Sequence, residues 1–366
     1  MKTRSLKICL FLLLSLTFCS KDSSKEQVQN QEIDNYEFEE LGSDAPYIFG
    51  QSYNGRNSYT TYYPGNIPII LSIPHGGDIS PSEISNRTYG VTVTDSNTIE
   101  LGMAISNYLF SNYSIRPYIV VNNLKRTKLD ANRDKTEAAQ GNIFAERAFD
   151  EFHYYISSAR DEIIKNFNTG LLFDIHGHGA NPDGFVDLRT WIGYLLSGSE
   201  LDSSDGYLDQ NINIDETSIY SMINSSDKSL SNLIRGPNSL GSIFERNNYT
   251  ALPSSESPGP EGMRYFSGGF NTFLYGTNKN FNFSAIQLEF PYPGLRDTSS
   301  SRNLFAIAFS EIISEYFLYH YNIDLFSLWL SLQKKTMDFK EIFTASMILF
   351  AIIDIIGATP IVISLR

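Results

Sequence analysis

The sequence predicts an α/β fold: a three-layer αβα arrangement on a mixed, mostly parallel central sheet. Three observations carry that expectation. Short apolar or β-branched runs alternate with longer segments of helical hydrophobic spacing, an order that puts helices on both faces of one sheet. The first of these runs, Ile67 to Ile73, reads as a buried strand that ends in the loop Pro74-His75-Gly76-Gly77. Polar residues fall just past the ends of such runs, where open α/β sheets place their sites.

The elements follow in order. Thr94 or Asp95 can cap a helix that continues through Leu109. Pro117 to Asn122 is a β-branched strand. Ile143 to Phe167 is a long helix, with Phe144, Phe149, Phe152, Tyr155, Ile156 and Ile163 at helical spacing. Leu171 to Ile175 is a strand that runs into His176. Residues 195–260 are rich in Ser, Asn, Gly and Pro and predict a loop-dominated region. Ala285 to Phe290 is a strand and Leu304 to Tyr319 a helix.

Composition bounds the function. The chain has 366 residues, 42% hydrophobic and 19% charged, which is ordinary globular composition with room for a full core. A formal net charge of −13 argues against nucleic acid as a partner. The two cysteines, Cys9 and Cys19, can build neither a disulfide framework nor an all-cysteine zinc site. A metal would therefore rest on carboxylates and on the five histidines. The sequence contains no G-x-S-x-G elbow, no P-loop and no G-x-G-x-x-G stretch, so neither serine hydrolysis nor nucleotide use is indicated.

Both ends lie apart from this fold. Lys2, Arg4 and Lys7 precede the apolar run Ile8 to Phe18, and Cys19 follows directly. The segment resembles a bacterial lipoprotein signal: 1–18 the signal peptide, Cys19 the lipidated residue and 19–45 a polar, acidic tether. The expected localisation is the cell envelope, with a membrane contact through the lipid. At the other end, Phe343 to Leu365 is 23 residues long and carries only Asp354 as a charge, long enough to span a bilayer. From Met337 onward the stretch resembles the opening helix of the MarC-type membrane family. Residues 337–366 read either as a fused gene remnant or as a genuine single transmembrane anchor.

The chemistry concentrates between residues 46 and 330. His75 sits in SIPHGG, where two glycines let the backbone approach a ligand closely. It is a metal-ligand candidate or a plain hydrogen-bonding loop residue. His176 sits in LLFDIHGHG with Asp174 two positions back, so both side chains leave the same face of a strand and the acid can orient the imidazole. His178 shares that parity and competes with it. His153 and His320 lie in helical segments among aromatics and read as structural. LKRTKLDANR carries Arg126, Asp130, Asn132 and Arg133, a set suited to a bidentate grip on a carboxylate or to a solvated loop. Glu289 lies in the apolar strand IQLEF, where burial can raise a carboxyl into general-base range. Gly268 and Gly269 stand between aromatics in a candidate binding loop.

Taken in order, SIPHGG, TDSNTIEL, KRTKLDANR, FDIHG, YFSGGFNTFLYG and AIQLEF resemble the motif succession of the N-formylglutamate amidohydrolase family across about residues 65–295. The order is also similar to the wider zinc carboxypeptidase and aspartoacylase group. The resemblance implies a zinc-carboxypeptidase-like fold holding one Zn²⁺ per chain, and hydrolysis of the amide of a small N-acyl amino acid. It implies His75 and His176 as zinc imidazoles and Asp95 as the third ligand, with Asp78 as the alternative. It further implies Glu289 as general base, Arg126 at the scissile carbonyl, and Asn132 with Arg133 on the substrate α-carboxylate. A periplasmic zinc peptidase or cell-wall amidase acting on short peptides, and a surface-binding lipoprotein with a decayed site, are the alternative readings. Export sets the chain apart from the cytoplasmic members of that family.

Overall fold

A computed structural model describes residues 36–179 and 184–328. The expected signal peptide, Cys19, most of the expected tether and the apolar C-terminal stretch lie outside the described residues. The chain divides into two compact units, residues 1–40 and 41–366, and every described strand and helix belongs to the second. No helix among the described residues is long and apolar enough to cross a membrane.

Eight strands form one mixed sheet: β1 (Tyr53–Asn54), β2 (Thr60–Tyr63), β3 (Ile69–Ile73), β4 (Tyr118–Asn122), β5 (Gly170–His178), β6 (Thr190–Gly193), β7 (Ala251–Leu252) and β8 (Phe283–Pro291). Their order is β1-β2-β4-β3-β5-β8-β6-β7. The central run β4-β3-β5-β8 is parallel, β1, β2 and β4 pair antiparallel at one side, and β6 runs antiparallel to β8 at the other. The parallel core explains the sequence pattern. Strands β3, β4 and β8 are buried at every position, so they carry near-continuous apolar residues instead of alternating ones.

Helices cover both faces. The long helices α1 (Thr98–Tyr113), α3 (Ile143–Phe167) and α10 (Ser299–Tyr321) flank the sheet. Between α1 and α3 lies the short α2 (Lys135–Ala139). On one face, α10 packs on α1, and Phe309 of α10 meets Phe173 of β5 edge-on. On the other, Ile163 of α3 closes over Gly170 of the same strand, and the α3 backbone takes a hydrogen bond from Thr60. Residues 171, 173 and 175 thus face one layer, while 170, 172, 174 and 176 face the other. The chain passes from β3 through α1 to β4, then back across β3 through α3 to β5. Consecutive strands depart to opposite sides of β3, so the crevice at the carboxyl ends of β3 and β5 is the topological switch point.

Two expectations are corrected. Residues 195–260 are not loop-dominated: they hold α4 (Gly198–Leu201), α5 (Asp205–Asn211), α6 (Tyr220–Asn224), α7 (Leu230–Arg235) and α8 (Leu240–Arg246). Ser197, Ser204, Ser229 and Ser239 are the N-caps of four of these helices, each accepting a backbone N–H through its hydroxyl. Neither Thr94 nor Asp95 caps α1. The helix begins at Thr98 behind Asn97, which is left-handed and gives no side-chain cap, and the Asp95 carboxylate is used elsewhere.

Candidate metal and catalytic centre

The loop leaving β3 carries His75, and its two glycines are required by space. A side chain at position 76 would meet the Thr98 hydroxyl at 2.5 Å, and one at 77 would meet the Asn123 backbone at 2.3 Å. The loop is thereby pressed against the start of α1. Asp95 N donates to His75 O at 3.0 Å and Thr98 Oγ1 donates to Asp95 O at 2.8 Å, which fixes Asp95 beside the histidine. On β5, His176 projects from the strand end on the face shared with Asp174.

Three atoms converge there. His75 Nδ1 and His176 Nδ1 are 3.0 Å apart, and Asp95 Oδ2 lies 3.3 Å from the first and 3.2 Å from the second. All three residues are buried. Each imidazole is braced from behind by a carboxylate. His75 Nε2 lies 2.6 Å from Asp130 Oδ1, and His176 Nε2 lies 2.7 Å from Asp174 Oδ2. These contacts make both Nε2 atoms donors, which turns both Nδ1 lone pairs toward Asp95.

The fit to a metal follows from the donors themselves. Two imidazole nitrogens and a carboxylate oxygen at about 3 Å need a proton or a metal ion between them. Three vertices of a tetrahedron with zinc bonds of about 2.0–2.1 Å are separated by roughly 3.3 Å, close to the observed edges. The protons tell the same story. Burial alone would discharge His176, yet the neighbouring Asp174 raises its pKa to about 10. Burial alone would raise Asp95, but hydrogen bonds to His176 and His75 pull it well below the carboxylate range. Positive charge between these groups can come from a proton or from a metal ion, and a metal binds there by displacing the proton.

Glu289 is the in-register partner of His176 on β8, and Trp191 of β6 is its partner on the other side. The residue is 6% exposed, and its carboxyl accepts from Gln287 Nε2 at 2.9 Å. Burial pushes its pKa up to about 7, despite the opposing pull of His176. A carboxyl poised near neutrality beside the His75–Asp95–His176 cluster can take a proton and return it.

The remaining expected residues are placed as follows. Arg126 donates from Nε to Asp130 Oδ2 at 3.0 Å and sets Nη1 3.6 Å from Asp95 Oδ1, so it braces two carboxylates of the cluster. Asn132 is buried and accepts from Asn271 N at 2.8 Å, while its Nδ2 lies 3.1 Å from His176 Nε2. Its amide is committed within the wall of the site. Arg133 turns to Glu137 of α2, at 3.4 Å, and to its neighbour's carbonyl. Gly268 is left-handed, with φ +135°, and a side chain at Gly269 would strike the Asn132 amide at 2.4 Å. This glycine pair therefore seats the 264–269 loop against the site. Asp78 is exposed and outside the cluster. His178 lies flat on Trp191, with ring centroids 3.9 Å apart, and its Nε2 contacts Arg189 O at 3.0 Å.

No family model matches this chain, and no curated protein sequence matches it. Solved structures similar to it include gene product Atu2144 of Agrobacterium tumefaciens, 11% identical with a TM-score of 0.45 over 70% of this chain and 94% of that one. They also include N-formylglutamate amidohydrolase from Ralstonia eutropha JMP134, 11% identical, TM-score 0.44, over 72% and 97%. A third is the catalytic domain of CwlV, an N-acetylmuramoyl-L-alanine amidase from Bacillus (Paenibacillus) polymyxa var. colistinus, 11% identical, TM-score 0.29, over 68% and 98%. The family that the six motifs resemble is among these neighbours.

Several side chains that brace the candidate site carry little local sequence signal. Asp130 was visible only as part of a charged loop. Asn271 holds Asp174 Oδ1 at 3.1 Å and could be found only through the fold. Arg296 is buried against Gly177 and donates to the carbonyls of Phe290, His178 and Ser96, tying β5, β8 and the Asp95 loop together.

Proposed function

We propose that the chain is a zinc-dependent amidohydrolase that cleaves the amide bond of a small N-acyl amino acid of the N-formyl-glutamate type. The observation that carries this reading is the convergence of His75 Nδ1, His176 Nδ1 and Asp95 Oδ2 beside a buried Glu289 whose pKa stands near 7. A bound zinc ion supplies Lewis acidity, which activates water and polarises a carbonyl.

In this reading the protein's own residues divide the work. Asp130 and Asp174 hold the two imidazoles in one tautomer, and Arg126 braces Asp130 and Asp95. Glu289 takes the proton of the attacking water and passes it to the leaving nitrogen, so the acyl group departs as a carboxylate and the amino acid as a free amine. Burial of the cluster excludes bulk water, which strengthens each of these charge interactions. Export and tethering through Cys19 are part of the same proposal. They place the reaction on substrates of the cell envelope or its surroundings, and fractionation of a Cys19→Ser variant tests them.

The test of the activity is a metal analysis of the purified full chain, joined to a screen of N-formyl and N-acetyl amino acids with and without a chelator. Zinc-dependent release of an amino acid supports the reading. Full activity in metal-free protein would overturn it.

A further inference from the structure

Resting on that reading, we propose that Arg264 binds the substrate's carboxylate, at a position several bonds from the scissile amide. Elsewhere around the centre the guanidinium groups are already engaged. Arg126 serves Asp130 and Asp95, and Arg296 serves three backbone carbonyls. Arg87 is buried on Val91 O, Arg126 O and Glu137 O. Arg133 gives Nε to Glu137 and Nη1 to Asn132 O, so each two-nitrogen edge of its fork has one member occupied.

Arg264 differs. It is exposed, and among the described residues no carboxylate forms a salt bridge with it. Its guanidinium lies over the ring of Phe266 with Cζ 4.7 Å from the centroid. Phe266 in turn meets Trp191 edge-on at 5.5 Å, and Trp191 is the cross-strand partner of Glu289. From Trp191, the strand neighbour of Glu289, an aromatic path thus leads outward through Phe266 to an arginine. Stacking on a ring face orients a guanidinium while leaving its in-plane N–H groups open, the geometry that a planar carboxylate accepts.

The base of this arginine is fixed. Tyr265 donates its hydroxyl to Ile192 O of β6 at 2.6 Å, and Leu195 N donates to Ser267 O at 2.7 Å. Gly269 then seats the other end of the loop against Asn132 beside His176. The loop spans from the metal-ligand wall to the aromatic path. The two contact steps outward from Trp191 suit a carboxylate on an amino-acid side chain better than one attached directly to the carbon bearing the scissile nitrogen.

The experiment compares kcat/KM of the full-length zinc enzyme for N-formyl-glutamate and N-formyl-glutamine, which differ only in that side-chain carboxylate. Wild type should prefer the carboxylate roughly 10- to 100-fold, the range of a charge-assisted hydrogen-bonded pair. Arg264→Ala should collapse the preference, mostly through KM, with zinc content unchanged, and Arg264→Lys should restore part of it. Arg133→Ala should leave the preference intact. An undiminished preference in Arg264→Ala, or its loss in Arg133→Ala alone, overturns the assignment to Arg264. Equal rates on both substrates in wild type overturn it as well while leaving the amidohydrolase reading in place. Hydrolysis of neither substrate, or of any other N-acyl amino acid, overturns both.

Discussion

His176 of β5 and Glu289 of β8 are direct register partners on adjacent parallel strands, so the proposed base stands one strand spacing from a metal-ligand candidate, on the same face of the sheet. That relationship fixes Glu289 in place without any loop. Glu289→Gln keeps the shape and the acceptor for Gln287 but cannot carry the proton. We expect kcat to fall roughly 10²- to 10⁴-fold with KM and zinc content nearly unchanged. Near-normal kcat would reduce Glu289 to a structural acid.

The second prediction concerns the carboxylates behind the imidazoles. Asp174→Asn removes the charge that holds His176 Nε2–H and can leave its ring free to adopt the other tautomer. Zinc affinity, measured by competition with a calibrated chelator, should drop about 10- to 100-fold. Asp130→Asn should act in the same direction through His75. Unaltered affinity in both variants would mean that the imidazoles are oriented by packing alone.

His153 gives a pH prediction outside the site. Its Nδ1 contacts the Tyr275 hydroxyl at 2.8 Å, and burial lowers its pKa to about 4. The unfolded chain takes up this proton near pH 6.5, whereas the folded chain resists until about pH 4, so the folded state loses stability as the pH falls through that window. At pH 5 the loss from this one group is about 2 kcal/mol relative to pH 7.5. Urea unfolding of wild type and His153→Gln at both values isolates it: the stability gap between them should narrow in acid. A gap independent of pH would contradict the buried, neutral ring.

The sequence revealed the parts of the site that lie on or beside strands. His75, His176 and Glu289 followed from apolar runs ending in polar residues, and Asp174 from strand parity, because the backbone period alone decides those directions. What stayed hidden depended on contacts between distant segments. Arg126 and Asn132 are substrate-facing only by the family resemblance, since a charged loop gives no sign of the direction in which its side chains turn. The fold turns them inward, onto Asp130 and Asn271. The helices of 195–260 were obscured by serine, which is common both in loops and at helix N-caps. The serine spacing was a usable signal there, whereas nothing local marks Arg296 as the residue that ties two strands to the Asp95 loop.

The most direct test of the account is the zinc content of the purified full-length chain and of its His176→Ala variant, measured by plasma mass spectrometry after dialysis, together with hydrolysis of N-formyl-glutamate by the same samples. The account predicts one zinc per wild-type chain, and loss of both zinc and activity in the variant. A wild-type chain that hydrolyses the substrate at full rate without metal, or a His176→Ala variant that keeps stoichiometric zinc, would contradict it.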